Sequence, residues 1–157
     1  MTGQRSVPPV PHRLDHRVLI DAPRAHVWTL VEEPAALMEW VHGMRSVTAA
    51  DGGPGGFALG ATFVQRIRIG LVPTPCRGEV TEFQPQSRLA VVVHHALFDL
   101  DIAYKFVAVG QRTEVTCHAA VHGRALGAVL PRAKIERVAD EILEDHLGAL
   151  KALAERS

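Results

Sequence analysis

A histidine in the middle of a greasy helical face is where this chain is best placed to do chemistry. Across residues 131–154 apolar side chains recur at helical spacing: Ile135, Val138, Ala139, Ile142, Ala149, Leu150 and Leu153. At about 100° per residue they form one stripe, and His146 falls near its middle. Burial disfavours the charged ring, so such an imidazole stays neutral near neutral pH and can accept a proton.

Strand parity supplies its partners. Residues 100–109 alternate so that Leu100, Ile102, Tyr104 and Phe106 share the inner face. Tyr104 is the polar member, able to polarise a carbonyl or steady an enolate. In 62–69, Gln65 sits among Phe63, Ile67 and Ile69, while Arg66 and Arg68 face solvent. In 88–95, Leu89, Val91, Val93 and His95 share parity, which aims His95 inward near one mouth and His94 outward. In 112–122, Val115, Cys117, Ala119 and Val121 form the inner face. His146 and Tyr104 are thus the catalytic candidates. Gln65, His95, Phe63, Ile67, Ile102, Phe106, Cys117 and Ile142 are the candidate ligand contacts. Together they suit proton abstraction beside a carbonyl, as in aldol cyclisation or dehydration.

Other chemistries fit poorly. His118 and His122 have a spacing that chelates on a helix, but on a strand they lie about 13 Å apart. No metal is expected. Cys76 and Cys117 match no zinc pattern and read as structural thiols. The run GGPGG at 52–56 lacks the Lys-Ser/Thr of a phosphate loop. The reading requires no cofactor.

Composition narrows the partners. Seventeen basic residues balance seventeen acidic ones, without a like-charge block. A nucleic-acid surface needs clustered Lys and Arg, so nucleic acid is not expected. Nowhere is there an apolar run of about 18 residues to span a membrane. The first residues lack an apolar leader, so the cytoplasm is the expected compartment. The chain is 157 residues long, enough for one domain with a real core. Residues 1–12 are Pro-rich and read as a disordered tail, and 13–157 as the single domain.

Those elements must position the site. A first strand over 13–20 leads to a helix ending near Val31, with Asp21 as N-cap and Pro23 in its first turn. A second short helix runs over 35–41, and a strand over 44–49 follows. After the Gly-rich loop come strands over 62–69, 77–83, 88–95, 100–109 and 112–122. The segment VPTPC at 72–76 reads as a breaker. The closing helix begins as early as Arg124, with a kink near Pro131.

The segments VLIDAPRAHVWTLVEEPAALMEW, GEVTEFQPQSRLAVVV and YKFVAVGQRTEVTC, followed by the amphipathic last helix, carry a resemblance. Their order and spacing resemble the helix-grip superfamily of START domains, the birch-pollen allergen and the polyketide cyclase/dehydrase proteins (SRPBCC). The likeness spans about residues 14–154. It implies an α+β fold, with a curved seven-stranded antiparallel sheet around a long C-terminal helix. Two short helices follow the first strand and close one end. It also implies a deep, mainly apolar cavity. Fold alone does not choose a reaction.

Two functions stay open. One is a cofactor-independent enzyme that cyclises or dehydrates an apolar, oxygenated small molecule. The other is a non-catalytic carrier of a hydrophobic metabolite or lipid. Either a monomer or a homodimer is compatible with the sequence.

Overall fold

The computed structural model describes residues 12–53, 55–69, 71–123 and 131–157. Strand β1 (His12–Ile20) is followed by helices α1 (Arg24–Glu32) and α2 (Pro34–Trp40). Strands β2 (Met44–Thr48), β3 (Thr62–Ile69), β4 (Val72–Gln84), β5 (Arg88–His94), β6 (Phe98–Val109) and β7 (Arg112–Gly123) come next. Helix α3 (Arg132–Arg156) closes the described chain. The strands form one seven-stranded antiparallel sheet in the order β1-β7-β6-β5-β4-β3-β2. This is the helix-grip α+β architecture, with α3 packed inside the curve of the sheet.

The alternation of side chains decides which face of each strand meets α3. In β6 and β7 the residues Leu100, Ile102, Tyr104 and Phe106, and Val115, Cys117, Ala119 and Val121, are all buried. His118 and His122 are exposed on the outer face, paired with Asp15 and Asp101. The α3 stripe is rotated from its expected position. Leu143 and Leu147 enter the core beside Ile135, Ala139 and Leu150, while Val138, Ile142 and Ala149 lie at its flank. Both sets satisfy a helical period, and the sheet selects the one that faces it.

Polar ties lay α3 along β1. The Asp21 backbone N–H donates to Glu155 at 2.8 Å, and Lys151 Nζ donates to the Leu19 carbonyl at 2.8 Å. His16 Nε2 meets Asp140 Oδ1 at 2.6 Å. The closed end is aromatic: the Trp28 ring stands edge-on to Phe106 at 5.1 Å, and the Trp40 indole N–H donates to the Leu30 carbonyl at 2.9 Å.

Two local expectations are corrected. Asp21 does not cap α1. Pro23 occupies the N-cap with ψ 151°, which keeps the chain extended past Asp21, and the Asp21 carboxylate faces Arg112 at 3.6 Å. The segment at 72–76 is not a breaker but the first part of β4. Pro73 and Pro75 face Arg68 and Arg66 of β3, and β5 begins to pair only at Arg77. The missing N–H groups therefore fall on a side where no described strand waits, a setting in which a sheet tolerates proline. The Pro-rich tail, apart from His12, and a start of the last helix at 124–130 lie outside the described residues. Pro131 is the N-cap of α3.

Phe63 and Gly78 face each other across β3 and β4. A Cβ on Gly78 would stand 2.0 Å from the Phe63 ring, so the ring lies flat over the glycine. Gly78→Ala should destabilise the fold by about 1–3 kcal/mol through overpacking. Urea unfolding checks this, and the cost should shrink in a Phe63→Leu background. An equal cost in both backgrounds would separate the two residues.

Candidate functional site

The polar residues that strand and helix periodicity aim inward do converge, though not on a deep hollow. Gln65 of β3 and His146 of α3 are both buried and meet with Gln65 Nε2 3.3 Å from His146 Nε2. The same Gln65 Nε2 donates to the His42 carbonyl at 3.0 Å. That carbonyl is held in place by its neighbour. Gly43 has φ +82°, and its carbonyl accepts from the Arg66 N–H at 2.8 Å. A Cβ at Gly43 would stand 2.1 Å from the Arg66 carbonyl oxygen, so the turn presses on β3 as only glycine allows.

Next to this turn the β2–β3 register slips. Met44 faces Gln65 and Ser46 faces Val64, leaving Arg45 as an extra, bulged residue at the rim. The His42 ring lies 6.2 Å from that of His146, and the Trp40 ring 6.3 Å from it, both edge-on. His146 sits well below the ordinary imidazole range, with a pKa of about 4. Burial is the main cause, and the nearby His42 adds to it.

Two spaces touch this pair of side chains. One is a pocket of about 360 Å³ between β3, the 42–45 turn and α3. Ile67, Val138 and Ile142 line its apolar wall. Gln65 and His146 line it too, and Arg45, Arg68, Glu141 and Asp145 stand around it. Its size suits one small ring system. The other lies deeper, among Trp40, Phe63, Ile102, Tyr104, Gln65 and His146, and holds only about 20 Å³. That is room for about one water. Among the described residues the inner space where a deep cavity is expected is thus nearly filled. Trp40, Phe63 and Tyr104 meet over it, and the ligand-sized space lies at the open rim.

The predicted site residues divide accordingly. Gln65, Ile67, Ile142 and His146 line the rim pocket. Phe63, Ile102 and Tyr104 line the inner space with Gln65 and His146. Tyr104 is held well above its ordinary pKa, first by burial and then by the neighbouring Cys117. Burial pushes the Cys76 and Cys117 thiols up to about 12, which keeps them protonated and poor nucleophiles. Phe106 packs on Trp28 at the closed end.

His95 is buried but lies past the end of β5, stacked on Phe98 at 4.7 Å, with its Nδ1 accepting from the Leu97 N–H at 3.0 Å. Neither His95, Phe106 nor Cys117 lines the two spaces. His42, Arg45, Glu141 and Asp145 were not expected at the site. The glycine after His42 is the one local sign of the turn that places it.

A shallow depression on the outer face of the sheet runs over Ala90, Ala103 and Ala120 beside the His118–Asp15 and His122–Asp101 pairs. It shares no residue with the rim pocket. Among the described residues no group of three His, Cys, Asp or Glu side chains is placed to hold a metal ion. No described helix is long and apolar enough to cross a membrane.

Comparison with known proteins places the chain. A family model described as polyketide cyclase/dehydrase and lipid transport matches residues 11–155. No curated protein matches the sequence. Solved structures resemble it in fold. The Zhui aromatase/cyclase from Streptomyces sp. R1128 aligns at TM-score 0.77 and 14% identity, covering 93% of this chain and 94% of that one. A START superfamily protein from Mycobacterium smegmatis aligns at TM-score 0.70 and 16% identity, covering 92% and 98%. DynU16, from the dynemicin biosynthetic locus, aligns at TM-score 0.66 and 18% identity, covering 89% of this chain. The chain spans 46% of DynU16, about half its length.

The depressed pKa of His146 has a consequence for stability. Between pH 6.5 and about 4 the unfolded chain takes up a proton at this residue that the folded chain refuses. Folding stability therefore falls as pH falls through that window, by on the order of 3 kcal/mol from this group. His95, also lowered by burial, adds with the same sign. Urea unfolding at pH 7 and pH 4.5 should show a steeper loss in wild type than in His146→Gln. Equal losses would mean that His146 titrates freely.

Proposed function

The chain belongs to the polyketide cyclase/dehydrase and lipid transport family, and we propose that it binds an apolar, oxygenated small molecule in the rim pocket and cyclises or dehydrates it. The observation that carries this reading is a buried, neutral imidazole in the wall of a ligand-sized pocket, held by Gln65. Ile67, Val138 and Ile142 would take the apolar body of the ligand, and His146 its oxygenated part.

The chemistry asks little beyond proton movement. In dehydration of a β-hydroxy carbonyl compound the α carbon loses a proton and its electron pair forms the C=C bond. The C–O bond then breaks, and the hydroxyl leaves as water. In the aldol closure that precedes it, an enolate carbon attacks a second carbonyl and the new alkoxide takes up a proton. Neither step exchanges electrons with a cofactor. Both place negative charge on a carbonyl oxygen, where a donor in a partly dry wall stabilises it strongly. A neutral imidazole serves such a reaction either by accepting the proton or by donating to the oxygen.

A carrier function is the second reading, and one observation favours it. Tyr104 lines the 20 Å³ inner space and not the rim pocket, so the pocket wall lacks it as a second catalytic group.

A panel of hydroxylated decalones and linear β-polyketones, followed by mass spectrometry, tests both readings. Loss of one water from a bound compound, abolished or cut at least a hundredfold in His146→Ala, supports the enzyme. Full turnover by a folded His146→Ala protein rules His146 out as the catalytic group. Binding without conversion of any compound supports the carrier. Ile142→Trp should fill the pocket and weaken binding at least tenfold in either case. Its melting temperature should stay near that of wild type, since Ile142 flanks the core.

A further inference from the structure

The hydrogen bonds around Gln65 determine which nitrogen of His146 carries its proton. A carbonyl only accepts, so the Gln65 atom 3.0 Å from the His42 oxygen is the amide NH2. The reverse amide orientation would set two acceptors against each other in a buried site. The same NH2 faces His146 Nε2 at 3.3 Å. It only donates, so Nε2 holds a lone pair there. A neutral imidazole with its lone pair on Nε2 carries the hydrogen on Nδ1. Among the described residues Gln65 is the one hydrogen-bond partner of His146, so the Nδ1–H meets no described protein acceptor.

We infer that Gln65 is a positioning residue that locks His146 in the Nδ1–H tautomer, so that the ring offers a ligand a hydrogen-bond donor and not a base. The ligand of the rim pocket then sets an acceptor oxygen, a ketone or enolate, against His146. This second half rests on the pocket being the binding site; the tautomer does not. The lone pair on Nε2 faces Gln65, and the group that meets the ligand is an N–H. His146 thus serves the oxygen of the substrate, not its carbon acid.

The tautomer is read directly on the full chain labelled with 15N-histidine. Long-range proton–nitrogen correlation at pH 7 should show His146 Nδ1 in the protonated, pyrrole-type range and Nε2 in the pyridine-type range. Loss of the signals in His146→Gln assigns them. The reversed pattern overturns the inference. In Gln65→Leu, or in Gln65→Met if the leucine variant does not fold, the ring should shift toward the Nε2–H form. An unchanged spectrum removes Gln65 from the role.

The ligand half is tested with α-tetralone and its deoxygenated analogue tetralin. Wild type should bind the ketone about tenfold more tightly. The preference should vanish in His146→Phe. Equal binding of the two by wild type overturns the donor assignment. Binding of neither overturns the rim pocket as the site, while the nitrogen spectrum still decides the tautomer alone.

Discussion

The grip of the sheet on α3 depends on apolar burial along one helix face, and His146 interrupts that face in its middle. A buried polar ring without a partner costs about 1–3 kcal/mol, enough to matter in a domain of marginal stability. Gln65 meets that need from β3, and the His42 carbonyl orients Gln65 in turn. The carbonyl is itself placed by a left-handed glycine pressed against the next strand. Three contacts, His146 to Gln65, Gln65 to the His42 carbonyl and Gly43 to Arg66, join the turn to the wall of the pocket. The bulge at Arg45 and the slip in register belong to the same corner, since the turn that delivers the carbonyl also offsets β2.

Much of this was legible from residue order. Strand parity identified the inner faces of β5, β6 and β7 and placed Gln65 and Tyr104 on the side that faces the core, and helical spacing did the same for His146. What escaped was set by distant contacts. The helical period of 131–154 admits two neighbouring stripes, and nothing local says whether Leu143 or Ile142 meets the sheet. The prolines of β4 forbid a strand only if a partner waits on both sides, and β5 ends just short of them. His42 carries no periodic signal, and its role depends on a residue 23 positions away. His95 has the right parity but stands one residue past the ladder, where the turn to β6 stacks it on Phe98.

Among the described residues the interior is nearly filled and the larger space lies at the rim. Phe63 lies flat over Gly78 with Phe57 beside it at 5.4 Å, and Trp40 and Tyr104 approach from the other side. These rings consolidate the core and leave the ligand-sized space between β3 and the first half of α3. There the wall is apolar on one side and carries charges of both signs at the rim, a setting for a molecule with a greasy body and a polar end. His146 stands where the two spaces meet, dry enough to stay neutral and close enough to the pocket to touch its contents.

The overhanging start of β4 bears on how copies of the chain meet one another. Beyond the end of β5 no described strand pairs that side of the segment, and such a margin is one on which a stray strand can zip. With equal numbers of acidic and basic residues, bulk charge repels other copies only weakly. Pro73 and Pro75 withdraw two donors from that margin, so an incoming backbone finds carbonyls without the alternating N–H groups that a ladder requires. The pair of prolines thus acts as a local guard against self-association, and Pro73 also stands in the lining of the rim pocket.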